Sequence, residues 1–272
     1  MSVLDVVALQ LAAEPGNVAG NVEHLLAALR KHGAGSDLVV TPELVTTGYD
    51  LAMFDERGAE LAEPLDGPTV TAVAEAAAEL GTTVVLGILE RDGDVIYDTA
   101  AVVLPDRSVY PFRKTHLYPD ELTRFSAGQD LITVDTPAGR LGPLICFEHA
   151  FPELATTLAL AGTQTLVIPS AVPIGYEYLL TLRTRARAQD NQMFAVGCNL
   201  TGGGFSGHSL IVDPSGEVLA SAGAEEAVLR ARLDLGVISR ERNQEPALGM
   251  RQVDLYRPEA VGRLGAVTAG DQ

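Results

Sequence analysis

Tryptophan is absent from this 272-residue chain, and cysteine occurs only twice. Two thiols cannot staple a chain of this length, and neither CxxC nor HExxH spacing occurs, so neither a disulfide framework nor a zinc site is expected. No apolar run approaches the roughly 20 residues that cross a bilayer. The N-terminal MSVLDVVALQL has no basic region and carries Asp5 inside its apolar stretch. It reads as a first strand rather than a targeting segment, and a cytoplasmic protein is the expectation. On that expectation the Asn199-Leu200-Thr201 sequon carries no sugar. Positive charge is also scarce. The 19 Lys and Arg against 36 Asp and Glu leave a net charge of −17, which argues against nucleic acid, whose phosphates need clustered basic residues, and disfavours an anionic bulk substrate. Most of the acidity reads as solvated surface, as at Glu56, Glu60 and Glu63.

What the chain does have is apolar residues, 47% of the total, enough to bury a sizeable core. Apolar β-branched runs alternate with Ala-rich segments of helical spacing: VLDVVALQL at 3–11, NVEHLLAALRKH at 21–32, DLVVT at 37–41, VTAVAEAAAEL at 70–80 and TTVVLGILE at 82–90. That alternation predicts an α/β fold. From Asp92 onward, closely spaced strands are punctuated by turn signals at Asp92-Gly93-Asp94, Asp106-Arg107 and Pro214-Ser215-Gly216, so antiparallel pairs must be mixed in. Helices are expected at about 151–162 and 177–190, and strands at 165–169, 193–199, 207–213 and 227–234. With no repeat and no composition break, a single domain over 1–258 with a tail at 259–272 is the simplest organisation.

Three segments carry residues suited to chemistry. RLGPLICFEHAFPELA places Cys146 at a strand end before a helix start, where a helix N-terminus would favour thiolate. Cys198, ending MFAVGCNL, sits in a similar place, and sequence alone leaves the two open; either could be a small buried hydrophobe. TPELVTTGY places Glu43 just beyond the strand DLVVT, at the edge where α/β proteins collect functional groups. FRKTHLYPDEL places Lys114 after the strand SVYPF, followed by Asp120 and Glu121. Of the 19 basic residues only Lys31 and Lys114 are lysine. A lysine that survives such an arginine bias suggests a need for a compact point charge.

In order and spacing, these segments resemble the Glu, Lys and Cys motifs of the nitrilase-like carbon–nitrogen hydrolase superfamily, its amidase branch above all. TGYD at 47–50, EPLDGP at 63–68, FPE at 151–153, RARAQDNQMFAVGCN at 185–199, GHSLIVDPSGEVLA at 207–220 and RNQEP…DLY at 242–256 extend the resemblance over nearly the whole chain. It implies a four-layer α-β-β-α sandwich, paired into homodimers across the helices near the cysteine. It implies Glu43 as general base, Cys146 as nucleophile, and Lys114 with the backbone N–H of Phe147 as holders of the oxyanion. Glu121 would complete the site, although the local register leaves Asp120 open. Tyr49, His149 and Ala171 are candidate substrate contacts, and Cys198 is assigned to packing. No metal and no cofactor is expected, and the partner is a small-molecule amide.

Cys146 is followed by Phe147 and Glu148, whereas nitrilases of the family resemble Cys-Trp-Glu there, which favours small uncharged carboxamides over nitriles. A carbamoylase or ω-amidase-like activity would instead need an arginine to clamp a substrate carboxylate, for which Arg183, Arg185 and Arg187 are candidates. A sandwich that has lost its chemistry and serves as a binding scaffold is the alternative of another class. A Cys–His dyad through His116 or His149 is the nearest chemical competitor. The Gly202-Gly203-Gly204 run lacks a phosphate loop's setting, and GFSGHS at 204–209 lacks a serine elbow. His208 reads as structural or cleft-lining, and His24 and His32 as residues of a solvated helix face.

Overall fold

The computed structural model describes residues 3–256. Its two six-stranded sheets lie face to face. The first has the order β14-β1-β2-β3-β4-β5, built from β1 (Val3–Gln10), β2 (Leu38–Val40), β3 (Thr83–Asp92), β4 (Val95–Val103), β5 (Val109–Arg113) and β14 (Ala227–Asp234). The second has the order β13-β12-β9-β8-β7-β6, built from β6 (Val134–Thr136), β7 (Gly139–Pro143), β8 (Thr165–Ser170), β9 (Phe194–Asn199), β12 (Leu210–Val212) and β13 (Val218–Ser221). A small hairpin of β10 (Thr201–Gly202) and β11 (Phe205–Ser206) stands apart. Within each sheet the central strands β1-β2-β3 and β7-β8-β9 are parallel and the flanks antiparallel, as the change of pattern after Asp92 predicts.

Alternation along the strands creates the layers. In β1, Leu4, Val6 and Ala8 join the core between the sheets, while Val7 and Leu9 face outward into a second core. That second core is closed by α1 (Val18–His32) through Leu25 and Leu29, and by α3 (Pro68–Leu80) through Val70, Val73 and Ala77. On the far side, α4 (Pro152–Leu160) and α5 (Glu177–Asn191) pack against the second sheet through Leu154, Leu158, Leu180 and Ala188. The result is the α-β-β-α sandwich.

Local chemistry sets the helix ends. Asn17 accepts from the Gly20 N–H at the start of α1, and α3 opens on Pro68 and stops at a left-handed Gly81. Glu63 is not the freely solvated acid expected of it; it is half-buried and accepts from the Thr69 N–H in the first turn of α3. Two helices escape the sequence reading, α2 (Leu51–Leu61) and α6 (Gly236–Gln244). Their apolar stripes are short, with only Phe54, Gly58 and Leu61 buried in one and Ile238 in the other. The proposed tail at 259–272 lies outside the described residues. Among the described residues no helix is long and apolar enough to cross a membrane.

Candidate active site

Glu43, Lys114 and Cys146 each sit just past the C-terminal end of a strand. Glu43 follows β2 in a turn that lies directly on β3. A Cβ on Gly87 of β3 would stand 2.0 Å from the Pro42 carbonyl oxygen and 2.8 Å from Glu43 Cα, so only glycine lets the turn seat there. The Gly87 N–H also donates to Thr41 Oγ1 at 3.1 Å. Lys114 follows β5 and keeps the strand pairing one residue further, its N–H donating to the Asp98 carbonyl of β4 at 2.9 Å. On its other side the Gly128 N–H donates to the Lys114 carbonyl at 2.8 Å. A Cβ on Gly128 would meet the Arg113 carbonyl oxygen at 2.2 Å, so this strap too requires glycine. Cys146 follows β7 with a φ of 41°, a strained left-handed conformation for a side-chain-bearing residue. It opens a short 3-10 turn, Cys146–Ala150, with the Ala171 N–H beyond β8 lowering the proton affinity of its thiol.

At the centre is one ammonium among three carboxylates. Lys114 Nζ donates to Glu43 Oε1 at 2.6 Å, to Glu121 Oε1 at 2.7 Å and to Asp98 Oδ2 at 3.1 Å, and all four side chains are buried. Burial works against the lysine charge, but Glu43, Asp98 and Glu121 outweigh it and hold the ammonium well above the ordinary lysine range. Glu43 Oε2 is buried with no hydrogen-bond partner and is free to take a proton. Of the two acids that sequence leaves open, Glu121 meets the lysine, while Asp120 is exposed at the pocket rim. The Tyr49 hydroxyl and the Tyr118 N–H also donate to Glu121, at 2.7 and 2.6 Å.

The Cys146 thiol is pushed well above the usual cysteine range, first by burial and then by the Glu43 charge, with Lys114 and the Ala171 N–H opposing. The expectation that a helix start makes it a thiolate is therefore corrected. Its resting form is the thiol, which needs a base. Glu43, Asp98 and Glu121 each place an oxygen within 4.8 Å of the others, the spacing of a cation site. The cation in their midst is the Lys114 ammonium itself, and a metal ion there would have to displace it.

Two buried acids at this site escape the sequence reading. Asp98 lies in the middle of β4, where aspartate is a rare strand residue, and that anomaly in VIYDTAAVV was the available signal. Glu148 accepts from the Thr115 N–H and Oγ1 at 2.8 and 2.6 Å, the His116 N–H at 3.2 Å and the Ile145 N–H at 2.7 Å. It thereby ties the residue after Lys114 to the residue before Cys146.

A pocket of about 670 Å³ opens onto this cluster. Lys114, Glu121 and Cys146 reach it, together with the expected Tyr49, His149 and Ala171, and Phe147 lies beside them. Of the three candidate arginines only Arg183 reaches the pocket. Arg185 donates to the Gly216 carbonyl, and Arg187 to the His149 carbonyl and Asp190. Burial first, then Arg183 and Arg187, drive His149 down to about 3, so it is neutral and a poor base at physiological pH. His116 instead stacks on Phe151, its ring centroid 4.5 Å away. Cys198 is fully buried, its thiol donating to the Leu9 and Val40 carbonyls at 3.3 Å each. His208 is held by the Ser206 carbonyl, His24 pairs with Glu226 at 2.8 Å, and the glycine run turns between β10 and β11.

The chain is 33% identical over 252 residues to an (R)-stereoselective amidase from a Pseudomonas species, covering 91% of each. It is 32% identical over 261 residues to the 2-oxoglutaramate amidase of Bacillus subtilis, covering 91% of this chain and 97% of that one. Among solved structures, Nit3 of Saccharomyces cerevisiae, described as a member of branch 10 of the nitrilase superfamily, superposes with a TM-score of 0.83 at 29% identity, covering 92% of this chain and 96% of that one. Residues 6–243 match the Carbon-nitrogen hydrolase family, and this chain belongs to that family of hydrolases acting on carbon–nitrogen bonds.

Proposed function

We propose that this protein is an amidase that hydrolyses small uncharged carboxamides to a carboxylic acid and ammonia through a thioester on Cys146. The observation that carries this reading is a thiol and a buried ammonium that share one pocket, with a buried carboxylate that has a free oxygen held behind them by that ammonium. Glu43 takes the thiol proton as sulfur attacks the amide carbon, and the carbonyl π electrons move to oxygen. The Phe147 N–H donates to that oxyanion, and the Lys114 ammonium, its three N–H groups engaged by Glu43, Glu121 and Asp98, faces it as positive charge; in other hydrolases loss of one oxyanion donor costs about 2.7–4 kcal/mol. Glu43 then returns the proton to the departing nitrogen. Water, deprotonated by the same Glu43, opens the thioester and frees the thiol. His149 is too weak a base to replace it, which disfavours the Cys–His dyad.

A second reading rests on Arg183. Its guanidinium stands in the pocket wall, donates to neutral His149 at 3.2 Å and has no carboxylate partner among the described residues. An amide that also bears a carboxylate would find its counter-charge there, the ω-amidase-like case, which accords with the name of the Bacillus subtilis relative. Incubation with a mixture of uncharged amides, carboxylate-bearing amides, carbamoyl compounds and nitriles, followed by intact mass spectrometry, decides between them. The mass added to Cys146 identifies the acyl group. If no member of the mixture yields an adduct or releases ammonia, and Cys146 resists alkylation, the scaffold alternative replaces the amidase. The pairing into homodimers implied by the resemblance is also part of this proposal, with exposed Tyr178 and Leu182, one turn apart on α5, as the contact face.

A further inference from the structure

The three carboxylates around Lys114 are not equally provided for. Glu121 receives three donors, from Lys114 Nζ, the Tyr49 hydroxyl and the Tyr118 N–H. Glu43 receives the shortest bond from the ammonium, at 2.6 Å. Asp98 receives only the longest, at 3.1 Å, and its Oδ1 is buried with no partner. Three buried negative charges against one positive would leave two uncompensated, a heavy cost away from water. When carboxylates crowd one site, the protons go to the worst-served member. Asp98 is that member, and its carboxyl lies within hydrogen-bonding reach of the Glu43 carboxylate.

We propose that Asp98 is a neutral carboxylic acid in the resting enzyme, a positioning residue that donates its proton to Glu43 while accepting from Lys114. This rests on the amidase reading for its consequence, but the protonation itself does not. Asp98 bonds to Lys114 and is not among the charged groups that act on the Cys146 thiol, so it acts only through the two groups it holds. The neutral acid cuts the cluster's charge from −2 to −1. It keeps Glu43 ionised yet oriented. The charged groups that face it are Lys114 at the end of β5, Glu43 in the turn after β2 and Glu121 in the 3-10 turn Pro119–Glu121. Burial first, and then the Glu43 charge, raise its affinity for a proton against the pull of Lys114.

The test joins infrared spectroscopy to kinetics. With 13C-labelled aspartate, wild-type protein at pH 7 should show a protonated-carboxyl stretch that is missing from Asp98→Asn, because every exposed aspartate is ionised there. No such band, or one that persists in Asp98→Asn, overturns the proposal even in a protein with no amidase activity. Asparagine mimics the neutral acid, one acceptor for Lys114 and a donor for Glu43. Asp98→Asn should therefore keep kcat/KM within about threefold, with the acid limb of its pH profile unmoved. Were Asp98 an anion, removing its charge beside Glu43 would shift that limb down by about a pH unit or more, and this would overturn the proposal. Asp98→Leu, which can neither accept nor donate, should lower kcat at least about tenfold with KM within about twofold, circular dichroism confirming the fold. A Leu variant with wild-type kcat would refute the positioning role. Should Leu unfold, the infrared band and the asparagine pH profile still decide.

Discussion

The surroundings of Cys146 and Cys198 differ more than their places in the fold. Cys198 lies within β9 and Cys146 just past β7 of the same sheet, and both flank the end of β8: Cys198 pairs in register with Pro169, and the Ala171 N–H lowers the proton affinity of the Cys146 thiol. Burial raises the proton affinity of both thiols. Cys198 points between the sheets, spends its S–H on two backbone carbonyls and has no acid beside it. Cys146 turns through a left-handed backbone into a pocket it shares with Lys114 and Glu121, under the charge of Glu43. A place at a strand end therefore does not make a thiol reactive. A base that can take its proton, and a cation to receive the charge this creates, do.

The largest expected effect separates these two regions outright. Cys146→Ala should lower amide hydrolysis by at least about a thousandfold, while Cys198→Ala stays within about twofold and loses on the order of 1 kcal/mol of stability. Steady-state kinetics and thermal melts of both variants check this, and comparable losses of activity from the two would dissolve the distinction.

Next in size is the cation. Lys114→Arg should cost on the order of a hundredfold in kcat/KM, nearly as much as Lys114→Ala, because a planar fork cannot aim three donors at Glu43, Glu121 and Asp98 from one buried point. The neighbouring Arg113 is the control. It bridges Glu90 and Asp92 and lies over the Tyr97 ring, and Arg113→Lys should leave kcat/KM within about threefold. An Lys114→Arg enzyme that keeps more than about a third of wild-type kcat/KM would remove Lys114 from the oxyanion role.

A smaller effect tests whether the base is Glu43 or the adjacent histidine. His149 titrates at about 3 when folded against about 6.5 in an unfolded chain. Between those values the unfolded chain binds a proton that the native one refuses. Stability should thus fall as pH drops from about 6.5 toward 3, at no more than about 1.4 kcal/mol per unit from this group. His149→Gln should flatten that slope in chemical denaturation and lower kcat/KM by less than about tenfold. A loss as large as that of Cys146→Ala would make His149 the base.

The smallest expected effect is none. EDTA should leave activity unchanged, since the Lys114 ammonium stands where a cation would sit among Glu43, Asp98 and Glu121, whereas iodoacetamide should inactivate, faster as pH rises and the Cys146 thiol ionises. Activity lost to the chelator and restored by zinc would overturn the mechanism.

Much of this molecule is written locally. The period of two in VLDVVALQ, the 3.6-residue spacing of VTAVAEAAAEL and the turns at Gly93 and Gly216 determined strands, helices and hairpins, because each depends on neighbours within a few residues. Glu43, Lys114, Glu121 and Cys146 were legible for a related reason: each sits in a short segment whose residue types, in that order along the chain, resemble a known family. Asp98 and Glu148 were not legible, since an acid in a strand or after a cysteine declares nothing about its partners. Only the packed sandwich decided that Asp98 would share one ammonium with two glutamates, that Glu148 would tie Thr115 to Ile145, and that Arg183 alone of three arginines would reach the pocket. Charge balance in a buried site depends on which side chains converge from distant strands and on how much water they lose, and neither quantity is a property of any one segment.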